Sequence, residues 1–287
     1  MNINRRNFLG CIGATGLTFT VGKKTFASVK NEEPVEFVGI LYDSARCAGC
    51  RTCEFECAAA HGLPEPLADV VPVRSTTESC NTVVNTFKTS KGEVFVKRQC
   101  MHCNEPACCA ACLTQAMHKD KKGPVTWDGA KCMGCRYCMV SCPFDGPKFE
   151  YHSANPKIQK CDMCIGKQAK GEAPTCVANC PNDALRFGTR RDLLKEARKR
   201  ISEKPDLYFD HIYGEHEAGG TGWLYLSPVP FNELGLNMSL EQASYPALTK
   251  GFLYSVPSIF VLLPTLLLGI YQATKSNQLN QESNDEQ

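Results

Sequence analysis

Cys132-Met133-Gly134-Cys135-Arg136-Tyr137-Cys138-Met139-Val140-Ser141-Cys142-Pro143 sets four cysteines at gaps of two, two and three residues and closes on a Cys-Pro pair. Upstream, Cys47, Cys50, Cys53 and Cys57 keep the same gaps. Two further groups follow one plan with a longer middle gap: Cys100, Cys103, Cys108 and Cys112, and Cys161, Cys164, Cys176 and Cys180 before Pro181. The chain of 287 residues holds 19 cysteines, and all but Cys11, Cys80 and Cys109 fall in these four groups. Core packing does not call for such density, so the thiols serve as ligands.

The first and third groups match the bacterial ferredoxin spacing. Two-residue gaps let three thiolates wrap one iron–sulfur cube, while the fourth cysteine, on the helix that follows, points to a different cluster. Zinc, held by pairs of C-x-x-C knuckles, is the competing reading. The third C-x-x-C step and the recurring Cys-Pro argue against it. No C-x-x-C-H occurs, so covalent haem attachment has no support. Cys109, beside Cys108, could replace it as a ligand, but Cys108 keeps the regular gaps. Leu113 stands where proline often follows the last cysteine. Cys80, in the polar stretch 75–90, reads as a free thiol without function.

In order and gaps the motifs resemble a family of four-cluster, ferredoxin-like electron-transfer subunits. These serve hydrogenase, formate dehydrogenase, nitrite reductase and molybdopterin oxidoreductase complexes. The resemblance implies an α+β fold of two nested bacterial-ferredoxin-like modules, each holding two [4Fe-4S] clusters, with motif one paired with four and two with three. It implies four [4Fe-4S] cofactors with these ligands: Cys47, Cys50, Cys53 and Cys180; Cys161, Cys164, Cys176 and Cys57; Cys100, Cys103, Cys108 and Cys142; Cys132, Cys135, Cys138 and Cys112. Leu41-Tyr42-Asp43, Gln99-Cys100-Met101-His102-Cys103 and Gly134 to Val140 are similar to the ferredoxin-like subunits of membrane-bound uptake nickel-iron hydrogenases. That likeness implies two partners, the catalytic [NiFe] hydrogenase subunits and a multi-span, quinone-reactive membrane subunit. It covers most of the chain except residues 62–92. A molybdenum oxidoreductase or multihaem cytochrome is the alternative catalytic partner, and a non-redox, metal-stapled binding module is the alternative class.

Both ends of the chain carry address information. Asn4-Arg5-Arg6-Asn7-Phe8-Leu9, a mildly apolar run and Thr25-Phe26-Ala27 resemble a twin-arginine export signal, residues 1–27, with Cys11 inside it. That route carries folded proteins, so clusters inserted in a reducing cytoplasm can reach the periplasmic side, where cysteines would otherwise form disulfides. Residues 251–271 carry no charge and are long enough for a transmembrane helix in the lipid bilayer. Pro257 and Pro264 within it are tolerable in a span. Residues 272–287 then form a cytoplasmic tail.

Between the ends, residues 28–210 form the four-cluster region and 211–250 an irregular, glycine-rich extension. Short β-rich runs sit at 37–42, 93–97, 125–127 and 184–187. An amphipathic helix is expected over 190–204, and 62–92 reads as an insertion over the surface. The net charge of +2 gives no reason to propose a nucleic-acid partner. Without residues 1–27 the charge becomes slightly negative, and four clusters at formally about 2− each would deepen it. Arg46, Arg51, Lys97, Arg98, Lys131, Arg136, Lys157 and Lys160, near the ligands, are candidates to offset that field. His61 and His102 are expected to pack or to hydrogen-bond a sulfur. With no H-E-x-x-H and no Walker lysine, the chain reads as a carrier, not an enzyme by itself.

Overall fold

The computed structural model describes residues 36–67 and 73–285. The export-signal reading and Cys11 lie outside the described residues. In chain order the elements are β1 (Val38–Asp43), α1 (Thr52–His61), β2 (Thr82–Thr89), β3 (Gly92–Gln99), α2 (Ala107–Ala110), β4 (Met117–Lys119), β5 (Val125–Trp127), α3 (Tyr137–Val140), β6 (Lys148–Phe149), β7 (Ile158–Gln159), α4 (Ile165–Gln168), α5 (Thr175–Ala178), β8 (Leu185–Thr189), α6 (Arg190–Glu203), β9 (Trp223–Leu226) and α7 (Tyr245–Asp285).

β1 is the middle strand of a three-stranded sheet. It pairs antiparallel with β8, Ile40 opposite Phe187, and parallel with β9, Tyr42 opposite Tyr225. Side chains alternate across a strand, so the sheet has two dry faces. Ile40, Tyr42, Leu185, Trp223 and Tyr225 join Val94, Val96, Met101 and Met163 in a core that touches Cys47, Cys53, Cys103, Cys176 and Cys180. Leu41, Leu224 and Leu226 point the other way, onto Leu193 and Ala197 of α6. Thr189 caps α6 by accepting from the Asp192 amide, and its hydroxyl donates to the Asp192 carboxylate at 2.7 Å.

Two segments differ from the sequence expectation. Residues 62–92 are not wholly a surface insertion, because β2 pairs along its full length with β3 and buries Thr82, Val83, Val84 and Asn85. Nor is 211–250 irregular throughout: β9 completes the sheet, and its four side chains are almost fully buried. Trp223-Leu224-Tyr225-Leu226 is the short apolar run of a strand covered on both faces, hidden in the sequence by the surrounding glycines.

α7 is longer than the expected span. Residues Tyr245–Gln272 are long and apolar enough to cross a membrane, and the helix runs unbroken through Pro257 and Pro264 to Asp285, so the tail is helical where described. Phe252, Phe260, Val261, Leu262 and Leu266 are all more than half exposed. A helix of a water-soluble protein turns one apolar stripe inward; this one is apolar all round.

The end of β1 is pinned by charge. Buried Asp43 accepts from Arg200 at 2.9 Å and from the Tyr208 hydroxyl at 2.7 Å, with Arg46 3.5 Å away. Removing one member of a buried pair strands the other. Arg200→Met is therefore expected to lower stability by about 3 kcal/mol, the low end of the range because Arg46 remains. Arg191→Met, which breaks the exposed pair with Glu36, should change it by less than about 1 kcal/mol. Urea midpoints of the anaerobically purified variants compare the two.

A candidate iron–sulfur centre

Each cysteine group begins with a loop that turns its thiols inward through the same backbone device. The residue before the second cysteine has positive φ in all four: Gly49 at 68°, His102 at 50°, Gly134 at 74° and Met163 at 58°. Arg51 and Arg136, both at 60°, repeat the turn just before α1 and α3. Three residues after the last cysteine of groups two, three and four, Gln115, Asp145 and Asp183 are again left-handed. Each donates its amide to the carbonyl of that cysteine. Non-glycine residues enter this region at a cost of about 1–2 kcal/mol each. Its repetition identifies one loop plan used four times, the longer gaps of groups two and four included.

The loops bring distant thiols together. One cavity, site A, is lined by Cys47, Cys50, Cys53 and Cys180 with Tyr42 and Lys97. A second, site B, is lined by Cys57, Cys161, Cys164 and Cys176 with His61, Lys97 and Trp223. A third, site D, is lined by Cys112, Cys132, Cys135 and Cys138 with Met117 and Trp127. Cys100, Cys103, Cys108 and Cys142 form a fourth group, site C, close enough that their charges oppose one another's ionisation. Each set draws on two sequence groups. Cys50 in site A and Cys135 in site D are exposed, whereas sites B and C contain no exposed cysteine.

Chemistry tests the fit of these thiols to a metal cluster. Every cysteine among the described residues is free of disulfide bonds. Burial raises most of the thiol pKa values, pushing Cys53, Cys138 and Cys142 up to about 12 and Cys176 to about 11. Thiols in such places do not ionise alone, while a metal centre takes them as thiolates and supplies the missing positive charge. Backbone N–H donors are already aimed at sulfur: Met117 at Cys112, 3.3 Å; Gly146 at Cys142, 3.4 Å; and Met163 at Cys161, 3.3 Å. Cys164 and Cys112 are the exceptions in direction: burial is outweighed at Cys164 by hydrogen bonds from His61 and Thr175, and at Cys112 by those from the Met117 amide and Thr114, so both pKa values are lowered. The set fits clustered iron.

Of the eight cationic candidates, Lys97 and Lys160 are buried, 1% and 7% exposed. Lys160 donates to the carbonyls of Val125 and, at 2.9 Å, Cys161. His61 donates to Asp162 at 2.9 Å and to the Cys57 carbonyl at 2.9 Å. The Asp162 bond is the main reason its pKa is raised. His102 is an acceptor, taking the Val125 amide at 2.8 Å on Nδ1. Cys108 is buried and its neighbour Cys109 less so. Half-buried Cys80 lines none of the three cavities and donates its S–H to the carbonyl of Thr82, which borders site B. Sequence reasoning missed the role of Trp223, which walls site B.

The fold and its thiol sites define an iron–sulfur protein, and the 4Fe-4S dicluster domain family matches residues 92–190. The chain is 44% identical over 289 residues to a protein of Nitratidesulfovibrio vulgaris Hildenborough, covering 96% of this chain and 78% of that one. It is 32% identical over 319 residues to the hydrogenase-2 operon protein HybA of Escherichia coli O157:H7, covering 97% of each. The nitrate-inducible formate dehydrogenase iron-sulfur subunit of Escherichia coli K12 is 28% identical over 200 residues, 66% of this chain and 67% of that one. This chain belongs to the HybA family of iron–sulfur electron-transfer subunits.

The turn residues offer a direct check. A Cβ on Gly49 would run into the Phe95 ring, whereas one on Gly134 meets nothing within 4 Å. Gly134→Ala is expected to cost about 1–2 kcal/mol from backbone strain alone. Gly49→Ala should add about 1–3 kcal/mol of overpacking and weaken cluster retention at the first motif. Thermal midpoints and iron content of the two variants measure the difference.

Proposed function

We propose that this chain is a membrane-tethered relay holding four [4Fe-4S] clusters, one at each of sites A to D, in two nested ferredoxin-like modules. Bound there, the clusters supply one-electron redox centres. The protein's part is to hold sixteen thiolates, exclude water and fix the order of the sites. The observation that carries the reading is the grouping of the thiols: three cavities are each lined by four cysteines drawn from two motifs, one with four or two with three. That is the nested pairing the family resemblance implies.

The order of the sites supports a wire. Sites A and B share Lys97 as a wall. Lys160 bonds the Cys161 carbonyl of site B and opposes the raising of the Cys100 and Cys108 pKa values in site C. The charges of Cys108 and Cys112 act on Cys138 in turn. The order is A, B, C, D, with an exposed cysteine at each end. α2, which carries Cys108, lies against α7, and Glu105 accepts from the Ser244 hydroxyl just before that helix. The C and D end therefore faces the membrane and a quinone-reactive subunit, leaving A for the catalytic subunit. Leu113, Met133, Tyr137 and Val140, all well exposed around site D, suit burial against a partner.

We assign the catalytic partner to nickel-iron hydrogenase, since the likeness to HybA spans nearly the whole chain and that to the formate dehydrogenase subunit about two thirds. Export by the twin-arginine route would put the sites on the periplasmic side, held by α7.

Iron and zinc content with low-temperature EPR of the reduced, anaerobically purified chain tests this first. About sixteen irons with interacting reduced-cluster signals are expected; about four zincs and no signal would refute the relay. Cys108→Ala should disrupt site C and lose about four irons, while Cys109→Ser and Cys80→Ser keep the full complement. Pull-down should recover nickel-iron subunits. Recovery of a molybdopterin subunit instead would overturn the hydrogenase assignment and leave the relay standing.

A further inference from the structure

We propose that Lys97 is a charge shared by two redox sites, a fixed ammonium between A and B that raises the reduction potentials of both clusters together. The proposal rests on the four-cluster reading above.

Lys97 lines both cavities, so one side chain borders two clusters. It is 1% exposed. Its ammonium donates to the Thr82 hydroxyl and, at 3.2 Å, to Gln99 Oε1, and it lies 5.0 Å from the centre of the Trp223 ring. Among the described residues no carboxylate lies within ion-pair distance of it. A buried ammonium with only neutral partners is strongly unfavourable. Negative charge within reach comes from sulfur, Cys53 of site A and Cys57, Cys161 and Cys176 of site B. The surrounding residues keep the group in place: Gln99 donates to the Tyr225 hydroxyl at 2.6 Å, which donates to the Lys97 carbonyl at 2.9 Å.

The consequence follows from charge balance. A one-electron donor, the oxidoreductase partner in the complex or dithionite in the test, gives one electron to either site. No bond forms or breaks, and that site gains one negative charge. A fixed positive charge in a water-excluded wall favours the reduced state of whichever neighbour holds the electron. Because the wall is common, the two potentials move together. Lys160 stands beside Cys100 of site C and provides an internal comparison.

The test is a potentiometric titration of the full, cluster-loaded chain, followed by EPR and visible absorption. In Lys97→Met two of the four waves should move to lower potential by at least 59 mV, the one-electron equivalent of a tenfold change, while the other two hold. Lys97→Arg should restore both. Lys160→Met should move a different wave. The idea is overturned if Lys97→Met moves no wave, one wave only, or all four alike. Should Lys97→Met and Lys97→Gln both fail to hold clusters, loss of about half the iron, restored in Lys97→Arg, upholds the shared charge. Loss in Lys97→Arg as well shows that shape matters and sinks it. A wild-type chain loaded with zinc would instead remove the four-cluster reading beneath it.

Discussion

The antiparallel register of β1 on β8 closes the loop that contains all four cysteine groups, and the meeting of the first group with the last depends on it. β1 leads directly into the first cysteine group and β8 leaves the fourth, so Val38 opposite Thr189 and Tyr42 opposite Leu185 put Cys47 and Cys180 on the same cavity. Closing so long a loop is only slightly worse in entropy than closing a short one, and a sheet dry on both faces outweighs it. Within the loop the β4–β5 hairpin, Met117 opposite Trp127, makes the smaller closure that sets Cys112 beside Cys132. Nested strand closures thus produce nested thiol sets.

The protein around those thiols is poorly satisfied by itself. Buried sulfurs oppose one another's ionisation, Lys97 and Lys160 are buried with no carboxylate among the described residues in ion-pair contact, and left-handed turns recur at residues with side chains. A metal centre removes each difficulty at once, because thiolates form, the lysines gain counter-charge and the turns gain a template. Folding and cluster binding are then one equilibrium.

Much of the site was legible in the sequence because ligand spacing is short-range information. Two-residue gaps fix a loop whatever the rest of the chain does, so the sixteen thiols could be named. Their grouping into sites could not be read from spacing, since it is set by strand register between segments far apart. The nested pairing was an expectation carried by the family resemblance alone. Among the eight cations near the ligands, nothing local separated Lys97 from exposed Lys131. Burial depends on β3 lying against β9 residues more than a hundred positions away. The β2 and β9 strands escaped because their apolar runs are short and flanked by proline, serine and glycine, which local rules read as loop.

The extension after α6 is better understood as a seal than as a linker to α7. Thr221 bridges to Cys103, and the Gly222 amide donates to the carbonyls of Met101 and His102. Arg190 donates to the Thr221 and Glu215 carbonyls, tying the strip to the start of α6. Trp223 then covers Lys97 and walls site B. Without this strip, water would reach both the second motif loop and the shared ammonium. A charge worth much in a dry wall is worth little in water. The segment that leads to α7 therefore also sets the dielectric in which the buried charges act, which couples its packing to the electrostatics of the thiol sites.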